Sequence, residues 1–83
     1  MDIHHLVKMA NQIGDFFAAY PDRDQAVASI AVHLKNSWDP RMRRQIIKYV
    51  DREGGTGLKD SVRDAVLTLE MGKEEGIEAP GDD

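Results

Sequence analysis

The chain has 83 residues, of which 41% are hydrophobic, no cysteine and a formal net charge of −4. This length allows one small domain with a modest core, and the absence of cysteine excludes disulfides and thiolate metal sites. Because the first residues lack the features of a secretory leader and no apolar run could cross a bilayer, we expect a soluble, cytoplasmic protein.

The negative charge is concentrated in the last thirteen residues, MGKEEGIEAPGDD, which contain five acids and one base. Residues 1–70 therefore carry ten charges of each sign. The acidic end has no apolar period with which to offset the entropy of ordering. The sequence predicts a single helical domain over residues 1–70 and a flexible acidic tail over residues 71–83.

Two amphipathic helices are predicted in the first half of the chain. Apolar residues recur at helical spacing over residues 3–20, with Asp2 as the N-cap and Pro21 as the stop. The same spacing recurs over residues 26–38, after the acidic cap candidates of DRDQ.

The segment NSWDPRMRRQI, residues 36–46, predicts a corner between the second and third helices, made by Trp38, Asp39 and Pro40. A residue before proline is pushed out of the α region, so Asp39 should end one helix and cap the next, with Pro40 at the favoured first position. The third helix then runs to about Arg52, where the glycines of EGGTG can take positive φ.

A fourth helix is predicted from Leu58 to Leu69, although Lys59 is a poor capping residue. No alternating pattern typical of strands is present. The predicted fold class is all-α, a compact bundle of about four short helices.

No catalytic, cofactor or metal site is indicated by the residue pattern. His4 and His5 are adjacent on a helix, point about 100° apart and cannot chelate one ion together. The glycines of GGTG follow a helix rather than a strand, which is typical of a turn and not of a phosphate loop. No serine has a histidine at a suitable spacing, and no carboxylates pair on an apolar face.

Basic residues of the third helix are the first candidates for a binding surface. One side of this helix, opposite the apolar positions, carries Arg41, Arg44, Lys48 and Arg52, which suits either a solvated face or a docking face. Arginines in the first turns oppose the helix dipole, and a broken local rule often marks function. Arg43 projects toward the apolar side, so it should pair with a carboxylate within the fold or on a partner.

An apolar shoulder on the first helix is the second candidate. Met9, Phe16 and Tyr20 widen its apolar sector beyond the stripe that a bundle helix needs. Either a very small domain uses this width for packing, or the shoulder docks on another protein. Val32 and Leu67, which are apolar on otherwise polar faces, favour docking.

A nucleic-acid regulator that binds through the third helix is the alternative function. Residues 1–70 are neutral and the end is acidic, whereas a phosphate-binding module usually presents a positive field. The charge distribution therefore favours a protein partner.

Three segments in this order, LVKMANQIGDFFAAYPD, AVASIAVHLKNSWDPRMRRQI and GGTGLKDSVRDAV, resemble the delta subunit of bacterial NAD-dependent, molybdenum-containing formate dehydrogenases. The resemblance covers about residues 6–69. Its most specific parts are the run from Met9 to Ile13 with the two phenylalanines that follow, and the run from Trp38 to Arg43. Lys59 and the acidic end depart from it.

This resemblance implies a non-catalytic accessory subunit of an enzyme complex that oxidises formate and reduces NAD. In such complexes the alpha subunit holds a molybdenum bis-pterin guanine dinucleotide centre and iron–sulfur clusters, and the beta and gamma subunits hold FMN and further clusters. Without cysteine this chain cannot hold a cluster on thiolates. The resemblance therefore predicts assembly or stabilisation of the complex, with the alpha subunit as the expected partner, the beta and gamma subunits as alternatives, and no nucleic acid or membrane.

Overall fold

Four α-helices form the protein. A computed structural model describes the backbone of residues 2–77 and the side chains of residues 2–69. The helices are α1 (Ile3–Phe17), α2 (Arg23–Ser37), α3 (Pro40–Glu53) and α4 (Asp60–Ile77). The predicted all-α fold with four helices is confirmed.

An aspartate caps each of the first three helices. Asp2, Asp22 and Asp39 all have extended backbone conformations, and each side chain accepts a hydrogen bond of 3.0 Å from a backbone N–H in the first turn. Such bonds satisfy N–H groups that have no partner within the helix. Pro40 occupies the first turn of α3, directly after the Asp39 cap.

Glycine ends α3 as the sequence predicts. Gly54 has a φ of 74°, and its N–H is donated to the carbonyls of Tyr49 and Val50. The Tyr49 hydroxyl then donates to the carbonyl of Thr56 at 2.6 Å, which fastens the turn to the helix it leaves. A side chain at Gly54 would be strained, because left-handed backbone favours glycine.

The start of α4 is capped from another helix. Asn11 of α1 accepts a hydrogen bond from the N–H of Lys59 at 3.0 Å and donates one to the carbonyl of Gly57 at 2.9 Å. The Lys59 ammonium also pairs with Asp15 at 3.0 Å, although both groups are largely exposed. The poor capping residue is therefore compensated by an amide 48 residues earlier in the chain.

The core lies where the apolar faces of all four helices meet, and α2 and α4 make the most extensive contact. Trp38 is only 5% exposed and belongs to this core. At Gly14 an added Cβ would lie 2.5 Å from a methyl of Val62, so α1 crosses α4 at a distance only glycine allows. The largest fully buried side chains are Leu6, Ile30, Leu34, Ile46, Val62 and Val66.

Helix α4 is longer than the sequence pattern predicts. It continues to Ile77, past the predicted domain end at Glu70. Once a helix is nucleated each added residue costs little, and the added turns contain good helix formers such as glutamate, methionine and lysine. Residues 78–83 lie outside the described part of the chain, so a flexible tail over 71–83 stays a prediction.

Asn11→Ala should lower the free energy of unfolding by about 1–3 kcal/mol, because it removes two hydrogen bonds and the cap of α4. Urea denaturation followed by circular dichroism measures the loss. Asn36→Ala, at an exposed position of α2, is the matched control and should change stability by less than about 0.5 kcal/mol. Equal unfolding midpoints for the two variants would contradict the capping role of Asn11.

Candidate docking surface

An open groove of about 500 Å³ lies between α1 and the corner that joins α2 to α3. Its apolar lining consists of Met9, Ile13, Phe16, Phe17, Trp38 and Met42. Most of these side chains also pack on the core from one side. The groove is therefore the place where core side chains from three helices reach the surface.

Aromatic rings pack around Phe17, which lines this groove. Phe17 is partly buried, and its ring makes edge-to-face contacts with Phe16 at 5.0 Å and Tyr20 at 5.4 Å between centroids. His33 of α2 approaches the same ring at 6.2 Å. Phe16 nevertheless remains 74% exposed, which is high for a large apolar side chain.

The three residues of the predicted apolar shoulder, Met9, Phe16 and Tyr20, differ in how far they are buried. Met9 packs against the core from a partly buried position, so internal packing accounts for much of it. Phe16 lines the groove while largely exposed, and Tyr20, 39% exposed, contacts Phe17 beside it. Internal packing does not account for the exposure of Phe16.

A second groove of about 390 Å³ follows the outer face of α2. Val32, 56% exposed, lies in it, and Phe17, His33 and Ser37 line both grooves. Sequence reasoning singled out Val32 but had no means of joining it to Phe17. Leu67 of α4, 42% exposed, does not line either groove.

Basic side chains lie on α3, the helix that contributes Met42 to the first groove. Arg41 directly precedes the groove residue Met42, and Arg44 and Lys48 follow on the exposed side of the helix. Among residues 2–69, none of these three cations has an ion pair or a side-chain hydrogen bond. Their charges are available to another molecule.

Arg43 differs from its neighbours and corrects one expectation. Its guanidinium donates to the carbonyl of Lys35 at 2.9 Å and to the carbonyl of Trp38. The partner within the fold is therefore a pair of backbone carbonyls rather than the expected carboxylate, because the last carbonyls of α2 have no helical partner of their own. A role of Arg43 in partner binding stays a prediction.

Neither a metal site nor a membrane span is present in the described residues. No group of three or more histidine, cysteine, aspartate or glutamate side chains there could hold a metal ion, and His4, His5 and His33 are exposed. Within the same residues, no helix combines the length and the apolar character that a membrane span requires.

Comparison with known proteins places this small helical chain among the subunits of a redox enzyme. Residues 5–66 match the family model of the NADH-dependent formate dehydrogenase delta subunit, FdsD. The chain belongs to that family, and the resemblance seen in the sequence is confirmed. No curated protein and no solved structure matches the chain.

Arg43→Ala should destabilise the fold by about 1.5–3 kcal/mol, since it leaves the end of α2 without a charged hydrogen-bond donor. Arg44→Ala is the matched control one residue away, and it should alter stability by less than about 0.5 kcal/mol. Thermal unfolding of both variants gives the comparison. If Arg44→Ala were as costly as Arg43→Ala, the assignment of Arg43 to the corner would be wrong.

Proposed function

We propose that the chain is a non-catalytic accessory subunit that assembles or stabilises a cytoplasmic, NAD-dependent molybdenum formate dehydrogenase by docking on its alpha subunit. The observation that carries this proposal is the apolar groove with the exposed Phe16 in its lining, together with cations on α3 that have no described partner. Family membership supplies the identity of the enzyme complex.

An apolar centre beside unpaired arginines has the composition of a protein–protein interface. Interfaces are enriched in aromatic residues, methionine and arginine, and are poor in lysine and acidic residues at their centre. Phe16 and Met42 provide the first two residue types in the groove, and Arg41 is the residue before Met42. The polar side chains that line the same groove are Gln12, His33 and Ser37, and its described lining includes no carboxylate.

The chemistry of formate oxidation is assigned to the other subunits in this proposal. The molybdenum centre, the iron–sulfur clusters and FMN that the resemblance implies would lie in the alpha, beta and gamma subunits. This chain would act on them only through the conformation or the assembly of its partner. The beta and gamma subunits are the alternative docking partners.

The nucleic-acid alternative gains no support from the fold or from the family match. Arg41, Arg44 and Lys48 form a short cationic stripe, but it adjoins an apolar groove rather than a broad basic surface. Phosphate binding would favour the latter.

Reversing Arg41 and Arg44 to glutamate should weaken docking while leaving the helix content unchanged or slightly improved, because acids in the first turns of a helix suit its dipole. Replacing two attractions by two repulsions should reduce retention on the purified complex about tenfold or more. We would co-express the variant with the other subunits and measure both the retained chain and formate-dependent NAD reduction.

Arg63→Glu on α4 is the matched control for a single reversal. Arg63 also lies in the first turns of a helix, and its ion pair with Asp60 is exposed and long at 3.5 Å. Arg63→Glu should therefore leave retention of the chain on the complex unchanged, whereas Arg41→Glu alone should lower retention. Full retention and full activity with both arginines reversed would contradict the proposal that this basic stripe is part of the docking surface.

A further inference from the structure

We infer that the two grooves act as one trough that receives an acidic amphipathic helix of the enzyme subunit on which the chain docks. We define this helix trough by Met9, Phe16, Phe17, Val32, Trp38 and Met42, all of which line one or both grooves. The inference rests on the proposed function and adds the identity of the occupant and the site where it binds.

The dimensions of the trough suit a helix of about three turns. Along α2 its lining extends from Gln25 to Ser37, thirteen residues, or about 18 Å at the helical rise. Along α1 it extends from Met9 to Phe17, or about 12 Å. A helix laid between two helices presents apolar anchors at spacings of three, four and seven residues, which is a recurring mode of recognition.

The side chains of the trough explain why an apolar helix face would bind there. Phe17 contributes a partly buried ring to the shared section of both grooves. Phe16 and Val32, at 74% and 56% exposure, are the side chains with the most apolar surface left to bury. Aromatic anchors at the centre of an interface carry much of its binding energy.

The charged residues next to the trough indicate the charge of the helix that would bind there. Arg41 flanks the groove residue Met42, and Lys8 directly precedes Met9 on the opposite wall. Next to other groove residues, Asp39 accepts from the N–H of Met42 and Asp15 pairs with Lys59, whereas neither Lys8 nor Arg41 has an ion pair or a side-chain hydrogen bond among residues 2–69. The charges left without a partner at these positions are positive, and carboxylates beside the apolar face of the bound helix would complement them.

A second copy of this chain fits the trough less well. A symmetric dimer built on the trough would bring together two copies of the same surface, each carrying Arg41 and Lys8 without described partners. Like charges brought together across an interface are unfavourable. An acidic helix from another subunit avoids this repulsion.

Cysteine labelling tests the trough directly, since the chain has no cysteine of its own. Phe16→Cys and Val32→Cys place a thiol in the trough, and Leu67→Cys places one at an exposed apolar position outside both grooves. Each variant is treated with a polyethylene-glycol maleimide, both as the free chain and within the purified formate dehydrogenase complex. Labelling of this 9.3 kDa chain is followed by its change in mass.

Docking in the trough should slow labelling at positions 16 and 32 at least about tenfold in the complex, as burial at the centre of an interface excludes the reagent. Labelling at position 67 should be unchanged. Two trough positions are used because Phe16→Cys could itself weaken docking, whereas Val32→Cys retains a side chain of similar size.

Carbodiimide coupling joins an amine to a carboxylate in direct contact. It therefore tests whether the bound helix carries carboxylates beside the trough. In the native complex it should link Lys8 to an aspartate or glutamate in an amphipathic helical segment of another subunit. Lys8→Arg keeps the charge and removes the amine, so it should abolish this link and leave retention unchanged.

Four results would overturn the inference. Labelling at positions 16 and 32 at the free-chain rate, in a complex that retains the chain, would place the interface elsewhere and leave the proposed function standing. Protection that accompanies a dimeric mass of the free chain would assign the trough to a second copy. Protection of the free chain that disappears when residues 78–83 are deleted would assign it to the chain's own end, and coupling of Lys8 to a non-helical segment would exclude a helix. A chain that is absent from the purified complex would instead contradict the proposed function itself.

Discussion

The corner between α2 and α3 is the constraint on which the surface of this protein depends. Asp39 caps α3 through the N–H of Met42, and Arg43 reaches back from the second turn of α3 to the last carbonyls of α2. These two side chains fix the angle at which the helices meet. As a result Trp38 is turned into the core and Met42 is left at the surface, and the two together form one wall of the first groove.

Local chemistry made most of the fold predictable. The aspartate caps, the Asp39–Pro40 pair and the glycines after α3 act within a few residues of themselves, so their effects can be derived from sequence spacing. The start of α4 could not be derived in this way. Its cap is Asn11, 48 residues earlier, and an asparagine inside a helix gives no sign of which distant N–H it will meet. The length of α4 was also missed, because the acidic composition after Glu70 concealed a continuing helix.

The candidate surface was predictable in its members but not in its arrangement. Sequence reasoning found Phe16 and Val32 separately, as apolar residues in excess of what each helix needs. It could not place them around Phe17, since that requires the packing of α1 against α2. Arg43 shows the converse error. Helical projection correctly turned it inward, but only the three-dimensional position of the end of α2 makes backbone carbonyls its partners.

Helices α1 and α3 each carry both core residues and residues of the candidate docking surface, and this has a consequence for stability. Fully buried Leu6 and exposed Phe16 lie on one helix, as do fully buried Ile46 and exposed Arg41 on the other. A partner that binds the folded surface and not the unfolded chain stabilises the fold by mass action. Because a domain this small has a modest core, such binding would add substantially to its stability. The exposed apolar groove and the arginines opposed to the dipole of α3 weaken the isolated chain, and both features would become favourable if the proposed partner covered them. In the proposed accessory subunit, folding and docking would therefore be coupled, and the fold should be most stable when its partner subunit is present.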